Sequence, residues 1–245
     1  MAASPATVPA CVRGVGAAPG ASAGLGRLHA RIRGCTRCAD QGWLPGAAPV
    51  LPAAWPTRVV LVGQAPGRVE VGSGLPFSGR AGAQLFRWLA RAGCRSEEEA
   101  RRRIYCTSIT KCYPGPAPHG AGDRRPTAAE VASCRPHLDR QLRLLRPRVV
   151  IAVGSLAQSR FLAPQPLAER VGRCFDADGV ELEGTWLGME TAARRPQPAP
   201  PRPWVLPLPH PSGASRWLNQ PTHSELLERA LAVLARLLRA ESGPA

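Results

Sequence analysis

The chain has 245 residues, a formal net charge of +15 and only 5% aromatic residues. This length suits one large α/β domain or two small ones, and no apolar run is long enough to span a membrane. The basic excess permits a nucleic-acid partner, but every basic residue except Lys111 is an arginine, a bias that a GC-rich genome also produces.

The first 24 residues combine prolines and glycines with no acidic residue, so we expect a disordered leader, followed by a single domain over residues 25–245. Eight cysteines are present, but their spacing is not that of a secreted disulfide scaffold. We therefore expect a soluble cytoplasmic protein.

Four apolar segments bounded by turn or helix signals predict strands over residues 58–63, 104–110, 148–153 and 204–209. Apolar residues at helical spacing predict helices over residues 81–93, 127–147 and 223–238. Thr127 is the expected N-cap of the second helix, and Glu130 completes a capping box. Such alternation predicts a parallel sheet covered by helices on both faces, whose ligands bind beyond the carboxyl ends of the strands. The proline-rich stretch 191–203 is predicted to be an extended connector.

The first strand runs into GQAPGRVEVGSGLPFSGRAG, a loop rich in glycine at residues 63–82. Its shape suggests a phosphate cradle, yet it lacks the lysine and hydroxyl residue of a P-loop and the GxGxxG of a dinucleotide fold. Glycines at a strand end let backbone amides approach a ligand closely, so the loop predicts a binding site of another kind.

The motif CTRC supplies Cys35 and Cys38, whereas Cys112 follows the second strand and Cys134 lies in the next helix. Paired thiolates from one turn, completed by two from distant segments, can hold a metal centre, and the spacing alone leaves zinc and an iron–sulfur cluster equally open. A third possibility is that these four cysteines are buried and bind no metal. The other cysteines have no such partners and are predicted to be small apolar fillers: Cys11, Cys94, Cys106 and Cys174.

Five segments together resemble the uracil-DNA glycosylase superfamily, most closely its iron–sulfur branch, family 4: GQAPGRVE, LPFSGRAG, TKCYPG, RRPTAAEVASCRP and HPSGASRW. The likeness runs from about Cys35 to the final helix. It implies a three-layer α/β sandwich with a central, mainly four-stranded parallel sheet. It also implies a DNA repair enzyme that hydrolyses the N-glycosidic bond of uracil, or of another deaminated base, and leaves an abasic site. By analogy we expect a monomer associated with the bacterial nucleoid.

The resemblance also assigns roles to individual residues. It implies a 4Fe–4S cluster held by four cysteines: Cys35, Cys38, Cys112 and Cys134. Phe77 matches the phenylalanine that stacks on the extruded base, and His210 matches the histidine that donates to the uracil O2. Glu70 matches an acidic position that orients or activates water; its alternative is a solvated loop glutamate. The first motif places three residues around the base: Gly63, Gln64 and Ala65.

Three positions depart from the family pattern. Gln64 replaces a glutamate, and Ser108 replaces the asparagine that reads the Watson–Crick edge of uracil, so base specificity is expected to differ. Asp123 stands in a longer loop where relatives carry asparagine or histidine, and is expected to take over part of the activation of water. Arg80 stands where the sister branch, family 5, has an aspartate, which favours family 4.

The segment SGASRWLNQP corresponds to the loop that wedges into the minor groove, with Arg216, Trp217 and Leu218 as the wedge. The competing expectation packs Trp217 and Leu218 beneath the last helix. Two other functions stay open at this stage: an iron–sulfur DNA-binding relative with little turnover, and a zinc-stabilised α/β protein with another small ligand.

Overall fold

A computed structural model describes residues 21–44, 46–118, 122–176, 178–181, 203–212 and 216–242. All the predicted strands are confirmed, and their bounds are β1 (Val59–Gly63), β2 (Ile104–Ser108), β3 (Val149–Val153) and β4 (Trp204–Leu208). They form one parallel sheet in the order β2-β1-β3-β4. The predicted α/β class with a four-stranded parallel sheet is confirmed.

The strand order contains one reversal. From β1 the chain crosses to β2 on one side, whereas β3 lies on the other side of β1 and leads outward to β4. In open parallel sheets, ligands bind in the crevice beyond the carboxyl ends of the strands where the winding reverses. The fold therefore predicts a binding site above the neighbouring ends of β1 and β3.

The helices of the described residues are α1 (Ala21–Arg33), α2 (Arg37–Asp40), α3 (Arg68–Ser73), α4 (Arg80–Arg91), α5 (Glu97–Arg103), α6 (Ala128–Leu145), α7 (Ser155–Gln158), α8 (Leu167–Arg170) and α9 (Pro221–Ser242). The helices predicted from periodicity correspond to α4, α6 and α9. Helix α1 begins at Ala21, within the last four residues of the segment 1–24 that was predicted to be a leader. Residues 1–20 lie outside the described part, as does the predicted connector apart from Pro203. No helix of the described residues has the length and apolarity needed to cross a membrane.

The sheet separates two hydrophobic layers because successive side chains of a strand point to opposite faces. Val59 and Leu61 pack with residues of α4, α5 and α9, whereas Val60 and Val62 pack with residues of α1 and α6. Every residue of β1, β2 and β3 is buried, as expected of a parallel sheet covered on both sides. This rigid base holds the loops at the carboxyl edge.

The start of α6 is fixed by a buried carboxylate. The Thr127 side chain accepts a hydrogen bond from the backbone N–H of Glu130, and the Glu130 carboxylate accepts one from the backbone N–H of Thr127, which confirms the predicted capping box. Both carboxylate oxygens of Glu130 also accept hydrogen bonds from the guanidinium of Arg124, at 2.8 and 2.6 Å. The loop before α6 is thereby tied to the helix that carries Cys134.

We expect Glu130→Gln to lower the free energy of unfolding by about 1–3 kcal/mol, because it removes a buried charged acceptor from Arg124. The Arg124 hydrogen bond holds the pKa of the Glu130 carboxyl below its usual value. The stabilisation is therefore complete above the unfolded pKa and is lost as the pH falls through the folded pKa. Urea denaturation at pH 7 and at a series of lower pH values measures both effects.

The matched control is Glu98→Gln, which breaks a surface pair between Arg102 and a carboxylate whose side chain is 77% exposed. It should change stability by about 0.5 kcal/mol or less. Equal losses in the two variants, or a Glu130→Gln loss that does not diminish as the pH is lowered, would contradict the assignment.

Candidate functional site

Phe77 lies directly on the backbone at the end of β1. A Cβ added to Gly63 would lie 2.7 Å from the Phe77 Cζ, a distance that real contacts do not show. The phenyl ring therefore occupies the space that a side chain at Gly63 would fill. Phe77 is half-buried and packs against the core layer of α4 and α9, so the end of β1 is covered by an aromatic ring.

The Phe77 backbone is held in an uncommon conformation. Its φ of 57° is left-handed, which costs a bulky residue on the order of 1–3 kcal/mol. The guanidinium of Arg101 donates to the carbonyls of Pro76 and Phe77, at 2.8 and 3.3 Å. Gly82 lets α4 approach, because a Cβ there would lie 1.8 Å from the Phe77 carbonyl oxygen. Arg101 and Gly82, which sequence reasoning did not single out, thus hold the ring in place.

His210 occupies the corresponding place next to β3. A Cβ on Gly154, the residue after β3, would lie 3.2 Å from the imidazole Cδ2. The Nδ1 atom of His210 accepts the backbone N–H of Ser212 at 3.2 Å. Burial lowers the pKa of His210, so the neutral ring predominates at pH 7. Since Nδ1 is an acceptor, the proton of the neutral ring lies on Nε2, which is the form that can donate to a ligand.

Phe77 and His210 therefore lie above neighbouring strands. Phe77 covers the end of β1 and His210 covers the residue after β3, and β1 pairs directly with β3. Adjacent strands are about 4.8 Å apart, so the two rings are brought to the same edge at the reversal of the winding. We refer to the space above the ends of β1 and β3, flanked by these two rings, as the strand-end slot.

Ser108 ends β2 and is the register partner of Gly63. Its Oγ donates to the Thr110 carbonyl at 2.6 Å, so the hydroxyl proton is committed and Oγ offers only lone pairs to a ligand. The pairing of β1 and β2 continues beyond the strands, because the Gly63 and Gln64 carbonyls accept the amides of Ile109 and Thr110. Gln64 and Ala65 are half-buried at this edge.

Glu70 has a capping function that the sequence did not predict. One carboxylate oxygen accepts the backbone N–H of Gly67 at 3.1 Å, and the other accepts that of Gly79 at 3.2 Å. Gly67 and Gly79 are the N-caps of α3 and α4, and neither has a side chain with which to cap its own helix. One carboxylate therefore joins two helix starts on either side of Phe77, and is neither a solvated loop glutamate nor an unengaged one.

Asp123 lies close to Gly67 in the glycine-rich loop that also contains Glu70. A Cβ on Gly67 would lie 2.7 Å from the Asp123 Oδ2 and 2.8 Å from a Glu70 oxygen, so the two carboxylates lie near one another. Asp123 forms an isolated bridge with Pro116 and is exposed. It also faces the Tyr113 hydroxyl, whose pKa is raised first by burial and then by this contact. The structure thus brings the predicted Asp123 to the first motif.

The predicted wedge residues begin a 3-10 turn, Arg216–Asn219. Trp217 stacks on His223 of α9 with ring centroids 4.2 Å apart, and its carbonyl lies 2.7 Å from the His223 Nδ1. Trp217 and Leu218 both pack against the core layer. The packed arrangement, the second of the two expectations, is the one present here; the tip at residues 213–215 and the side chain of Arg216 lie outside the described part.

The four predicted ligand cysteines line one cavity, although they come from four separate places in the chain: Cys35, Cys38, Cys112 and Cys134. Burial raises the pKa of Cys112 to about 12, and the charges of the other three thiolates add to this. Such mutual repulsion fits a site that a positive centre would neutralise. Among the residues described, no three His, Cys, Asp or Glu side chains form a recognisable single-ion site.

Backbone and side-chain donors surround the thiols. The Lys111 amide donates to the Cys134 Sγ at 3.2 Å, and the Arg37 Nε donates to the Cys35 Sγ at 3.4 Å. N–H donors to sulfur are the usual surroundings of iron–sulfur ligands, so the residues present fit such a cluster. The remaining described cysteines are core fillers, as predicted: Cys94, Cys106 and Cys174. Cys11 lies outside the described residues.

The structure thus combines a four-stranded parallel α/β sheet, two rings above neighbouring strand ends and a cavity lined by four cysteines. A sequence profile of the Uracil DNA glycosylase superfamily matches residues 52–235, which is most of the chain. The protein belongs to this superfamily, as the motifs indicated.

Several relatives are similar over shorter stretches. A Type-4 uracil-DNA glycosylase of Pyrobaculum aerophilum is 31% identical over 166 residues, 65% of this chain and 79% of the relative. A Type-4 enzyme of Archaeoglobus fulgidus is 40% identical over 100 residues, 41% of this chain and 45% of the relative. A Type-5 uracil-DNA glycosylase of Pyrobaculum aerophilum is 33% identical over 142 residues, 53% of this chain and 60% of the relative.

We expect Glu70→Gln to lower the free energy of unfolding by about 1–2 kcal/mol, because the amide retains only one acceptor oxygen and loses the charge that faces two helix starts. Glu225→Gln, an exposed position near the start of α9, is the control and should cost less than about 0.5 kcal/mol. Chemical denaturation measures both. A neutral Glu70→Gln substitution would show that the two caps do not contribute to stability.

Proposed function

We propose that this protein is a uracil-DNA glycosylase that takes a base flipped out of DNA into the strand-end slot and hydrolyses its N-glycosidic bond. The observation that carries the proposal is the pair of rings on adjacent strand ends, Phe77 over Gly63 and His210 over Gly154. A flipped base needs an aromatic face to replace its lost stacking, and Phe77 supplies that face.

His210 supplies the electrostatic contribution. As the glycosidic bond breaks, negative charge develops on the leaving uracil and is largest on its ring oxygens. A neutral imidazole with its proton on Nε2 donates to the O2 of that anion, and the fixed Nδ1 contact with Ser212 keeps the ring in this tautomer. His210 therefore stabilises the charge that exists only in the transition state.

Ser108 reads the base through its acceptor lone pairs. Uracil, hypoxanthine and xanthine each carry a ring N–H at the pairing edge, whereas cytosine presents a lone pair at its N3. Because the Ser108 proton is bonded to Thr110, an N–H is a good partner for Oγ and a lone pair is repelled. Normal cytosine is rejected, and uracil is separated from the deaminated purines less strictly than an asparagine would separate them.

Glu70 and Asp123 have different roles in the proposed reaction. Glu70, with both oxygens bonded to backbone amides, keeps a fixed negative charge beside the slot, which favours a positive oxocarbenium-like sugar. Asp123 is exposed and lies next to Glu70, and orients the attacking water. Gln64, in the place of a glutamate, contributes backbone contacts and no charge.

The four-cysteine cavity would hold a 4Fe–4S cluster, with Cys35, Cys38, Cys112 and Cys134 as its ligands. When bound, the cluster supplies a covalent cross-link between distant segments and takes no part in bond cleavage. Lys111 and Arg37 donate to the ligand sulfurs. Its four ligands come from the segment around α2, the loop after β2 and α6, so a bound cluster would join these segments.

The test is incubation with single- and double-stranded oligonucleotides that contain uracil, hypoxanthine, xanthine or only normal bases, followed by alkali. Cleavage at the deaminated base and none at cytosine is expected. Intact product with every oligonucleotide would overturn the proposal. A gel shift without cleavage would identify the alternative, a relative that recognises damaged DNA with little turnover, which the capped carboxylate of Glu70 and the neutral Gln64 favour.

We expect His210→Ala to lower the single-turnover rate on uracil by about a hundredfold or more, because the donor to O2 is lost. The Kd for DNA should change by less than about threefold, since the histidine acts on the leaving base. His223→Gln, which alters a histidine stacked on Trp217, is the control and should leave the rate within about threefold. Parallel losses of rate and binding in His210→Ala would refute this division.

We expect Cys134→Ser to lower iron and acid-labile sulfide per chain at least several-fold, because one thiolate of the quartet is lost. Cys174→Ser, a buried cysteine outside the cavity, is the matched control and should retain full iron. Elemental analysis of anaerobically purified protein measures both. Zinc in place of iron in the wild-type protein would contradict the cluster.

A further inference from the structure

Lys111 is the only lysine of the chain and is almost fully buried, with 1% of its surface exposed. A buried ammonium is costly unless hydrogen bonds replace its water. Here the Nζ donates to the Thr107 hydroxyl at 2.8 Å and to the Ser108 carbonyl. The charge is therefore placed on the end of β2, where the base-reading residue lies.

The ammonium begins a chain of buried hydrogen bonds. The Thr107 hydroxyl donates to the Gln141 Oε1 at 3.3 Å, and the Gln141 Nε2 donates to the Tyr105 hydroxyl at 2.7 Å. The Tyr105 oxygen lies 2.6 Å from the Nε2 of His29. Burial lowers the pKa of His29 to about 4, so the ring is neutral and its Nε2 accepts the tyrosine proton. Each group in this series donates a hydrogen bond to the next one, from the Lys111 ammonium to the His29 ring.

The residues of this hydrogen-bond series come from three segments that lead to the cysteine cavity. His29 lies in α1, which runs toward Cys35; Gln141 lies in α6, which carries Cys134. Tyr105 and Thr107 lie in β2, which leads to Cys112. Lys111 also lines the cavity itself, and its amide donates to the Cys134 sulfur. One residue thus contacts both the cavity and the end of β2.

We propose that Lys111 is a positioning residue that fixes the base-reading end of β2 against the cysteine cavity, an inference that rests on the proposed function for its activity readout. The ammonium holds the Ser108 carbonyl, and the turn from Ser108 to Lys111 then carries the amides of Ile109 and Thr110 to β1. The identity of the residue matters because only a long stem with a cationic donor reaches both acceptors from this position.

The test is Lys111→Met in the full chain, which retains the apolar stem and removes the donors. The expected results are a single-turnover rate on uracil lowered about tenfold or more, with the Kd for DNA within about twofold. Iron per chain should fall, and the amides of Ile109 and Thr110 should exchange with deuterium faster than in the wild type.

The control is His29→Phe, at the far end of the same hydrogen-bond chain. It should lower the thermal midpoint while the single-turnover rate, the iron content and the exchange of Ile109 and Thr110 stay at wild-type values. Equal losses of stability in the two variants, with unchanged rate and exchange, would overturn the positioning role and leave Lys111 as a core residue.

If Lys111→Met does not accumulate as folded protein, Thr107→Val, which removes one acceptor of the ammonium, is measured in the same way and must raise the exchange of the same two amides. If the wild-type protein releases no uracil, the proposed function fails, whereas iron content and amide exchange still test the role of Lys111.

Discussion

Two missing side chains determine the arrangement of the site. Gly63 and Gly154 have no side chain, and an aromatic ring lies against each of them. A Cβ at Gly63 would lie 2.7 Å from the Phe77 ring, and a Cβ at Gly154 would lie 3.2 Å from the His210 ring. The reversal of winding places these glycines on adjacent strands. In the proposed function, the two glycines leave room for the rings between which a planar base would lie.

Acidic residues are scarce in this basic chain, and two of them fasten the loops around the slot. Glu70 bonds the first amides of α3 and α4 on either side of Phe77, and Glu130 bonds the start of α6 and Arg124 beside Cys134. In both cases the carboxylate lies at a helix start, where the helix dipole favours negative charge. The flanking loops are thus held by charge as well as by packing.

The strands and the capping box at Thr127 could be predicted because each depends on residues close in sequence, whereas the strand-end positions of Phe77 and His210 were expected from the family resemblance. The double cap of Glu70 could not, because its second partner lies nine residues away on a helix start with no capping side chain. The clamp of Arg101 on Phe77 spans 24 positions. The helix α1 was missed because alanine and glycine dilute the periodicity of its buried residues, Leu25, Leu28 and Ile32.

The confinement of the one lysine has a chemical consequence. A reagent that acylates primary amines finds no lysine at the surface of the folded protein, because the Lys111 side chain is enclosed. Apart from the α-amino group, acylation of the chain must wait until the domain opens. The rate at which such a label appears therefore counts opening events directly, and lysine acetylation in a cell would mark only molecules that have lost their fold.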